Sequence, residues 1–201
     1  TGTDLNGCQN TDQVTININA LPLVNAGTDF SICENQSANL NASGALTYLW
    51  DNGVTNGVPF IPAGTTTYTV TGTDANGCQN SDQITITVNT LPTIEAGSDL
   101  IVCENTSVTL SASGAPTLNW DQGVINGVGF IPPVGTRVYH VIGTDLNGCS
   151  NIDSISVQIN ALPFVEAGSD LLLCENTSVT LSASGGAISY TWDNGVSDGV
   201  S

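Results

Sequence analysis

The sequence predicts an all-β protein built from antiparallel β-sandwiches in tandem. Three observations lead there. One stretch of the chain is written three times at a step of about 70 residues. It reads "GTDLNGCQNTDQVTININ" from Gly2, "GTDANGCQNSDQITITVN" from Gly72 and "GTDLNGCSNIDSISVQIN" from Gly143. Apolar and polar residues alternate with a period of two, in runs rich in Val, Ile and Thr that Gly, Asn, Asp and Pro interrupt. No stretch carries helical periodicity.

Other landmarks keep the same step. A Leu-Pro pair recurs at Leu21-Pro22, Leu91-Pro92 and Leu162-Pro163, "CEN" at Cys33, Cys103 and Cys174, and Trp-Asp at Trp50, Trp120 and Trp192. They mark whole repeats over 21–90 and 91–161. Residues 1–20 read as the C-terminal strands of a partial repeat, and 162–201 as the N-terminal part of a further one. The plain reading is a window from a longer polypeptide. A sharper one lets the head of one chain be completed by the tail of another through strand complementation.

Each repeat offers about seven short strands, as a small sandwich requires. In the first whole repeat they fall at 20–26 with Phe30–Cys33, then at 37–43, 46–50, weakly near Val54, 58–61, Thr66–Thr73 and 83–89. Val108, Leu110 and Ala112 share one face, opposite Thr109 and Ser111. Ile84, Ile86 and Val88 alternate with Thr85 and Thr87. Leu46, Tyr48 and Trp50 share a face, as do Leu118 with Trp120, and Ile188 with Tyr190 and Trp192. The core candidates are Trp50, Trp120 and Trp192, with Tyr68 and Tyr139 on the penultimate strand. This is the placement an immunoglobulin-like sandwich uses. A repeat this short has a small core, so the Trp supplies a large share of it.

The motifs "YLWDNG" and "TYTVTGTDANGC", together with "VCEN…VTLSASG", resemble the PKD-type and related Ig-like repeats of giant secreted surface proteins in Bacteroidetes-type gliding bacteria. The resemblance covers essentially the whole chain. It implies tandem Ig-like (PKD-like) β-sandwiches, exported by a type IX pathway and serving as an adhesin or surface filament. Repeats of this kind are mostly stalks, and they also space catalytic modules in secreted polysaccharide hydrolases. The resemblance fixes no ligand.

Eighteen Asp and Glu face Arg137 alone, for a net charge of −17. Such a charge argues against binding to nucleic acid, whose phosphates need Lys and Arg, and against docking on an anionic membrane. The charge keeps an extended molecule soluble and makes divalent cations natural counter-ions. No apolar run is long enough to insert into a membrane. No secretory signal is present, which for a stretch cut inside repeats says nothing of its parent.

Six cysteines at fixed repeat positions imply disulfides and an oxidising, extracellular compartment. There is no CxxC pair for zinc, and His140 has no second His beside it. Two connectivities are open. Bridges inside each repeat would join Cys33 to Cys78 and Cys103 to Cys149. But Cys33 ends the first strand, while Cys78 lies in the loop between the last two strands, at the opposite pole. A seven-residue strand would separate them by roughly 23 Å, and a disulfide needs Cα atoms within about 7 Å. The other connectivity joins Cys33 to Cys149 of the next repeat. Cys8, Cys78, Cys103 and Cys174 would then find partners beyond this stretch, and the array would be a stiff rod.

Two readings fit the repeated loop residues Asp74, Asn76, Asn80 and Asp82, with Asp145, Asn147, Asn151 and Asp153, and with Asp4, Asn6, Asn10 and Asp12. They could supply oxygen ligands to calcium, which takes six to eight, although no bidentate Glu closes the set. The simpler reading is a hairpin whose Asp opens the turn and whose Asn-Gly takes positive φ. Calcium is the one cofactor left open. Asp51, Asp121 and Asp193 beside the Trp residues could make a sugar platform, but read more simply as turn openers. The acidic pairs Asp29 with Glu34, Asp99 with Glu104, and Asp170 with Glu175 recur in every repeat. A glycosidase pair occurs once, in a pocket, so these read as exposed turns. His140 alone supports no triad. Sequons stand at Asn35, Asn41, Asn105 and Asn176, and "DSI" at 153–155 matches the O-glycosylation pattern of the resembling family.

The sequence thus predicts a non-enzymatic structural array outside the cell: a stalk, fibre or filament whose partners are neighbouring repeats. The second expectation is an adhesin whose repeats bind glycan or partner cells. The third is a spacer from a secreted carbohydrate-active enzyme.

Overall fold

A computed structural model describes residues 1–199. Within them the chain forms strands and turns and no helix. It divides into two compact units, Thr1–Leu91 with Leu146–Cys149, and Pro92–Asp145 with the chain from Ser150 on.

The first unit begins with a small antiparallel pair, β1 (Gly2–Thr3) and β2 (Gln9–Asn10). Its main sheet holds β3 (Phe30–Cys33), β4 (Thr47–Trp50), β5 (Thr66–Thr73) and β6 (Gln79–Asn89) in the order β3-β6-β5-β4. β3 runs parallel to β6 and the other pairs are antiparallel. In the second unit β7 (Leu100–Cys103), β8 (Val108–Thr109), β9 (Thr117–Trp120), β10 (Gly129–Phe130), β11 (Gly135–Thr144) and β12 (Ser150–Asn160) repeat the plan. The sheet order is β7-β12-β11-β9, again with a parallel first pair. β8 pairs with β10 in the facing layer. Two short strands, β13 (Val165–Glu166) and β14 (Ser184–Gly185), pair beyond it. A first strand parallel to the last, with the last two and the third main strand antiparallel, is an immunoglobulin-like sandwich.

The cores follow the predicted alternation. In the first unit Leu40, Trp50, Tyr68, Val70, Ile84 and Ile86 are buried; in the second, Leu110, Trp120, Tyr139, Val141, Ile155 and Val157. Phe60 packs edge-on against Tyr68 with ring centroids 5.3 Å apart, and Phe130 against Tyr139 at 5.5 Å. The period-two reading overreached at two positions: Leu46 lies just outside β4 and is 69% exposed, and Ile188, expected to share a face with Tyr190 and Trp192, lies outside any strand and is fully exposed. Gly72 and Gly143 explain the Gly that opens the repeated stretch. A Cβ there would run into the side chains of Val24 and Ala45, or of Ile94 and Ala115. The strand must be bare where the entering chain crosses it.

The segment 37–43 behaves differently from the strand expected there. Ala38, Leu40 and Ala42 point inward as a strand would, yet its backbone pairing is reduced to the isolated bridges Asn25↔Ser43 and Ala38↔Phe60. A side chain takes the missing place. The Asn56 Oδ1 accepts the Ala42 N–H at 2.7 Å and the Trp50 indole N–H at 3.0 Å, while the Gly57 N–H reaches the Leu40 carbonyl at 2.8 Å. Asn126 repeats this with Ala112 at 2.7 Å and Trp120 at 3.0 Å. Asp198 repeats it with Ala183 at 2.7 Å and Trp192 at 2.9 Å. One acceptor oxygen thus serves two donors, so its removal strands both. Asn126→Ala should cost about 2–4 kcal/mol in urea unfolding, from two unmet donors. Asn126→Asp, the residue type found at position 198, should cost much less. Equal losses in the two variants would refute this reading of the oxygen.

Candidate functional site

The cysteines are presented by two local structures, each written more than once. The first is a tight turn after a strand. Cys33 ends β3, Cys103 ends β7, and Cys174 stands at the third copy. The N–H three residues on returns to the cysteine carbonyl, from Gln36 at 3.1 Å, Thr106 at 3.2 Å and Thr177 at 3.2 Å. This turn needs a left-handed residue two places after the cysteine. Asn35, Asn105 and Asn176 supply it with φ of 65°, 66° and 65°, since Asn tolerates that region better than most side chains. This explains the third letter of "CEN". The neighbouring acids are not idle turn residues either. The Asp29 Oδ1 accepts the Thr85 N–H at 2.7 Å and Asp99 accepts that of Ser156 at 2.8 Å, fastening the start of each parallel strand to the last strand. The Glu104 carboxylate takes the Leu162 N–H at 3.2 Å.

The second structure is the tip of the long hairpin. Thr73 pairs with Gln79, leaving the loop 74–78. The Asp74 Oδ1 accepts the N–H of Asn76 at 2.8 Å and of Cys78 at 2.9 Å, and Gly77 takes φ of 82°. Asp4 does the same for Asn6 at 2.9 Å and Cys8 at 2.8 Å, with Gly7 at 84°. Gly148, beside Cys149, stands at 81°. The Asp of the repeated stretch therefore shapes the loop that carries the cysteine.

Cys33 and Cys149 are joined in a disulfide with Cα atoms 5.5 Å apart and a sequence separation of 116. Cys149 is fully buried. Cys78 is partly exposed and, like exposed Cys8, Cys103 and Cys174, is a free thiol. The bond crosses from one repeat to the next rather than closing a repeat on itself, for a simple reason. Cys33 lies opposite Asn89 at the far end of β6, and Cys78 precedes Gln79 at its near end. β6 holds 11 residues, so the two cysteines of one repeat stand about 36 Å apart, far outside disulfide range.

The residues weighed as calcium ligands divide between different tasks. Asn80, Asp82, Asn151 and Asp153 are not loop residues but lie on β6 and β12, because the hairpin closes sooner than the sequence suggests. Their side chains reach sideways. The Asn80 amide donates to the Pro22 carbonyl and Asn151 to Pro92, each at 3.0 Å. Asp82 accepts from Ala26 N–H at 2.8 Å and Asp153 from Ala96 at 2.7 Å. Asp74 and Asn76 stay in the loop, and the Asp145 and Asn147 side chains or backbones are engaged as well. Among the described residues, no three His, Cys, Asp or Glu gather as a metal site would require. Asp51 holds the Thr69 N–H at 3.0 Å. Asp121 holds the His140 N–H and, through Oδ2, the His140 ring at 3.0 Å each. These acids tie the turn after the Trp to the neighbouring strand. Trp50 at 4% and Trp120 at 9% exposure are core residues; Trp192 is half-buried.

The N–H of Ala26, and then that of Gln83, hold the Asp82 carboxyl below its ordinary 3.8 against a smaller opposing desolvation. Ala96 and Ser154 do the same for Asp153. A carboxylate lowered by folding stabilises fully above its unfolded value, and the stabilisation fades as pH falls through the lowered folded value. The acid limb of a plot of Tm against pH, below 3.8, should therefore be shallower in D82N/D153N than in the parent chain. An unchanged limb would rule these two acids out as its source.

Fold and site together define a tandem array of immunoglobulin-like sandwiches with a disulfide that runs between repeats. No known protein family matches the chain, nor does any curated protein. Solved structures similar to it include extracellular domains 3–5 of Drosophila OTK, with 16% identity over 66% of this chain and 59% of that one and a TM-score of 0.36. The insect immune protein hemolin shows 16% identity over 70% of this chain and 46% of that one, with a TM-score of 0.38. The titin fragment I67–I69 shows 12% identity over 73% and 68%, with a TM-score of 0.33. The chain thus spans less than two thirds of the length of the first two.

Proposed function

We propose that the chain is a structural repeat array outside the cell: a stalk, fibre or filament whose repeats are stapled to their neighbours by disulfides. The observation that carries this reading is the bond from the strand-end turn of repeat 21–90 to the hairpin tip of repeat 91–161. A disulfide persists in an oxidising compartment, which favours the cell surface over the cytosol. The net charge of −17 keeps such an array dispersed. The likeness of the "CEN" turn and the "TDANGC" tip to repeats of secreted surface proteins supports the same location and export by a type IX pathway.

Two experiments test the proposal. Loss of the bond in C33S should destabilise the chain by about 2–5 kcal/mol, read as a fall in the urea midpoint, because the cross-link restricts a loop of over 100 residues in the unfolded state. A midpoint equal to that of the parent would remove the staple from any structural role. In electron micrographs, native material should show stiff rods that become flexible on reduction, and the chain should bind nothing on glycan arrays. Retained binding of glycans or cells by this chain would transfer the function to an adhesin.

A further inference from the structure

Arg137 is the only Lys or Arg in the chain, against eighteen acids. The one ion pair among the described residues nevertheless joins Asp121 to His140, at 3.0 Å, and leaves Arg137 out. Its place on the strand is unusual too. Tyr139 and Val141 of β11 are buried, and Arg137, two residues before Tyr139, falls on their side of the strand rather than on the outer one. There it lines a cleft of about 300 Å³ with Gln122, Phe130, Pro132, Pro133 and Tyr139. The first repeat has a matching cleft of about 320 Å³ over Phe60, Pro62 and Tyr68, with Thr66 where the second has Arg137. A guanidinium with no acid of its own, beside an apolar cleft, suits a carboxylate.

The backbone next to this cleft is also unpartnered. β11 runs Gly135–Thr144, but β9 covers only Val141–Thr144. One residue further along, the Asp121 N–H reaches the His140 carbonyl and the Asp121 Oδ1 takes the His140 N–H, each at 3.0 Å. Backbone groups in an antiparallel strand alternate sides, so Val138 and Thr136 turn theirs to the same edge as His140. The Gln122 amide donates to the Val138 carbonyl at 2.7 Å. The Val138 N–H and both backbone groups of Thr136 remain, a short template for another strand.

We infer that the edge at Thr136–Val138 and the Arg137 cleft form one docking site for an extended acidic peptide of a partner protein. The peptide adds to β11 as a strand. On the face that meets the cleft, a Glu or Asp sets its carboxylate against the Arg137 guanidinium, and an apolar side chain two residues away lies over the Phe130 ring. A small carboxylate would use the guanidinium and leave the edge idle. A charge placed only to protect an exposed edge would be needed in the first repeat as well. There β4 also stops short, pairing with β5 no further than Val70, yet the residue is Thr66. The inference goes beyond the array reading and does not rest on it.

The test uses the isotopically labelled chain and a blocked heptapeptide, Thr-Val-Thr-Glu-Thr-Val-Thr. Its Glu and both Val share one face, so either strand direction fits. In nuclear magnetic resonance titrations the peptide should shift the amide signals of Thr136 and Val138 and slow their hydrogen exchange. Thr67, at the matching edge of the first repeat, should respond far less. Gln in place of the peptide's Glu, or R137T in the chain, should each weaken binding roughly fivefold. The two changes together should cost little more than either alone, since both remove the same pair. R137T installs the residue type that the first repeat carries, so the sandwich accommodates it. No shift at Thr136 and Val138 with millimolar peptide, an equal response at Thr67, or unchanged binding in R137T would each overturn the inference. A shift confined to the Arg137 side chain, without protection of the edge amides, would also overturn it, in favour of a site for small carboxylates. The array reading is tested by the disulfide and the rod, which none of these outcomes touches.

Discussion

A side-chain oxygen between an indole N–H and a backbone N–H holds the two layers of each repeat to one another. Asn56 and Asn126 stand where a strand partner would otherwise be needed, and each satisfies the Trp that fills its core. A buried indole without an acceptor costs about as much as a lost hydrogen bond. A segment such as 37–43 without a partner would leave its N–H groups unmet. Both needs are met by one residue, which lets a repeat of about 70 residues close with only a two-strand pairing or isolated bridges in its second layer.

The first layer is built on length. β6 and β12, with 11 residues each, are the longest strands, and the rest of each sheet is referred to them. The parallel first strand is fixed at its start by Asp29 or Asp99, and the entering chain is fixed by Asn80 with Asp82, or Asn151 with Asp153. The acidity that looks like a ligand supply in the sequence is thus largely committed to backbone N–H groups. The same length separates the two cysteine types and gives every repeat a direction.

Much of this was legible in the sequence. Period-two runs located β3, β5 and β6 and the buried faces of Val70, Ile84 and Ile86, because a half-buried strand must alternate. The three-fold recurrence fixed the repeat, and strand rise against disulfide reach distinguished the two cysteine connectivities. Other parts were not legible. The alternation of 37–43 says which side faces in but not that a side chain replaces its neighbour strand. Leu46 matched the pattern and lies past the strand end. Asn80 and Asp82 read as loop because turn-favouring residues crowd there, although the turn closes at Cys78. The signal for Asn56 was present and unused: Asn-Gly-Val follows Trp50 and Trp120 by six residues, and Asp-Gly follows Trp192 in the same place.

The bond between Cys33 and Cys149 also decides which parts of the chain can carry tension. A force applied at the two ends passes through the sulfur–sulfur bond, and the backbone between those residues is off the path. A separation of 116 residues, at about 3.4 Å each when drawn out, is about 400 Å of contour length withheld from extension. Both long hairpins, save for the strand β12, lie inside that withheld loop. Under load the β5–β6 hairpin can lose its hydrogen bonds without lengthening the chain, and it can re-form in place once the load is gone, whereas β12 stays on the loaded path.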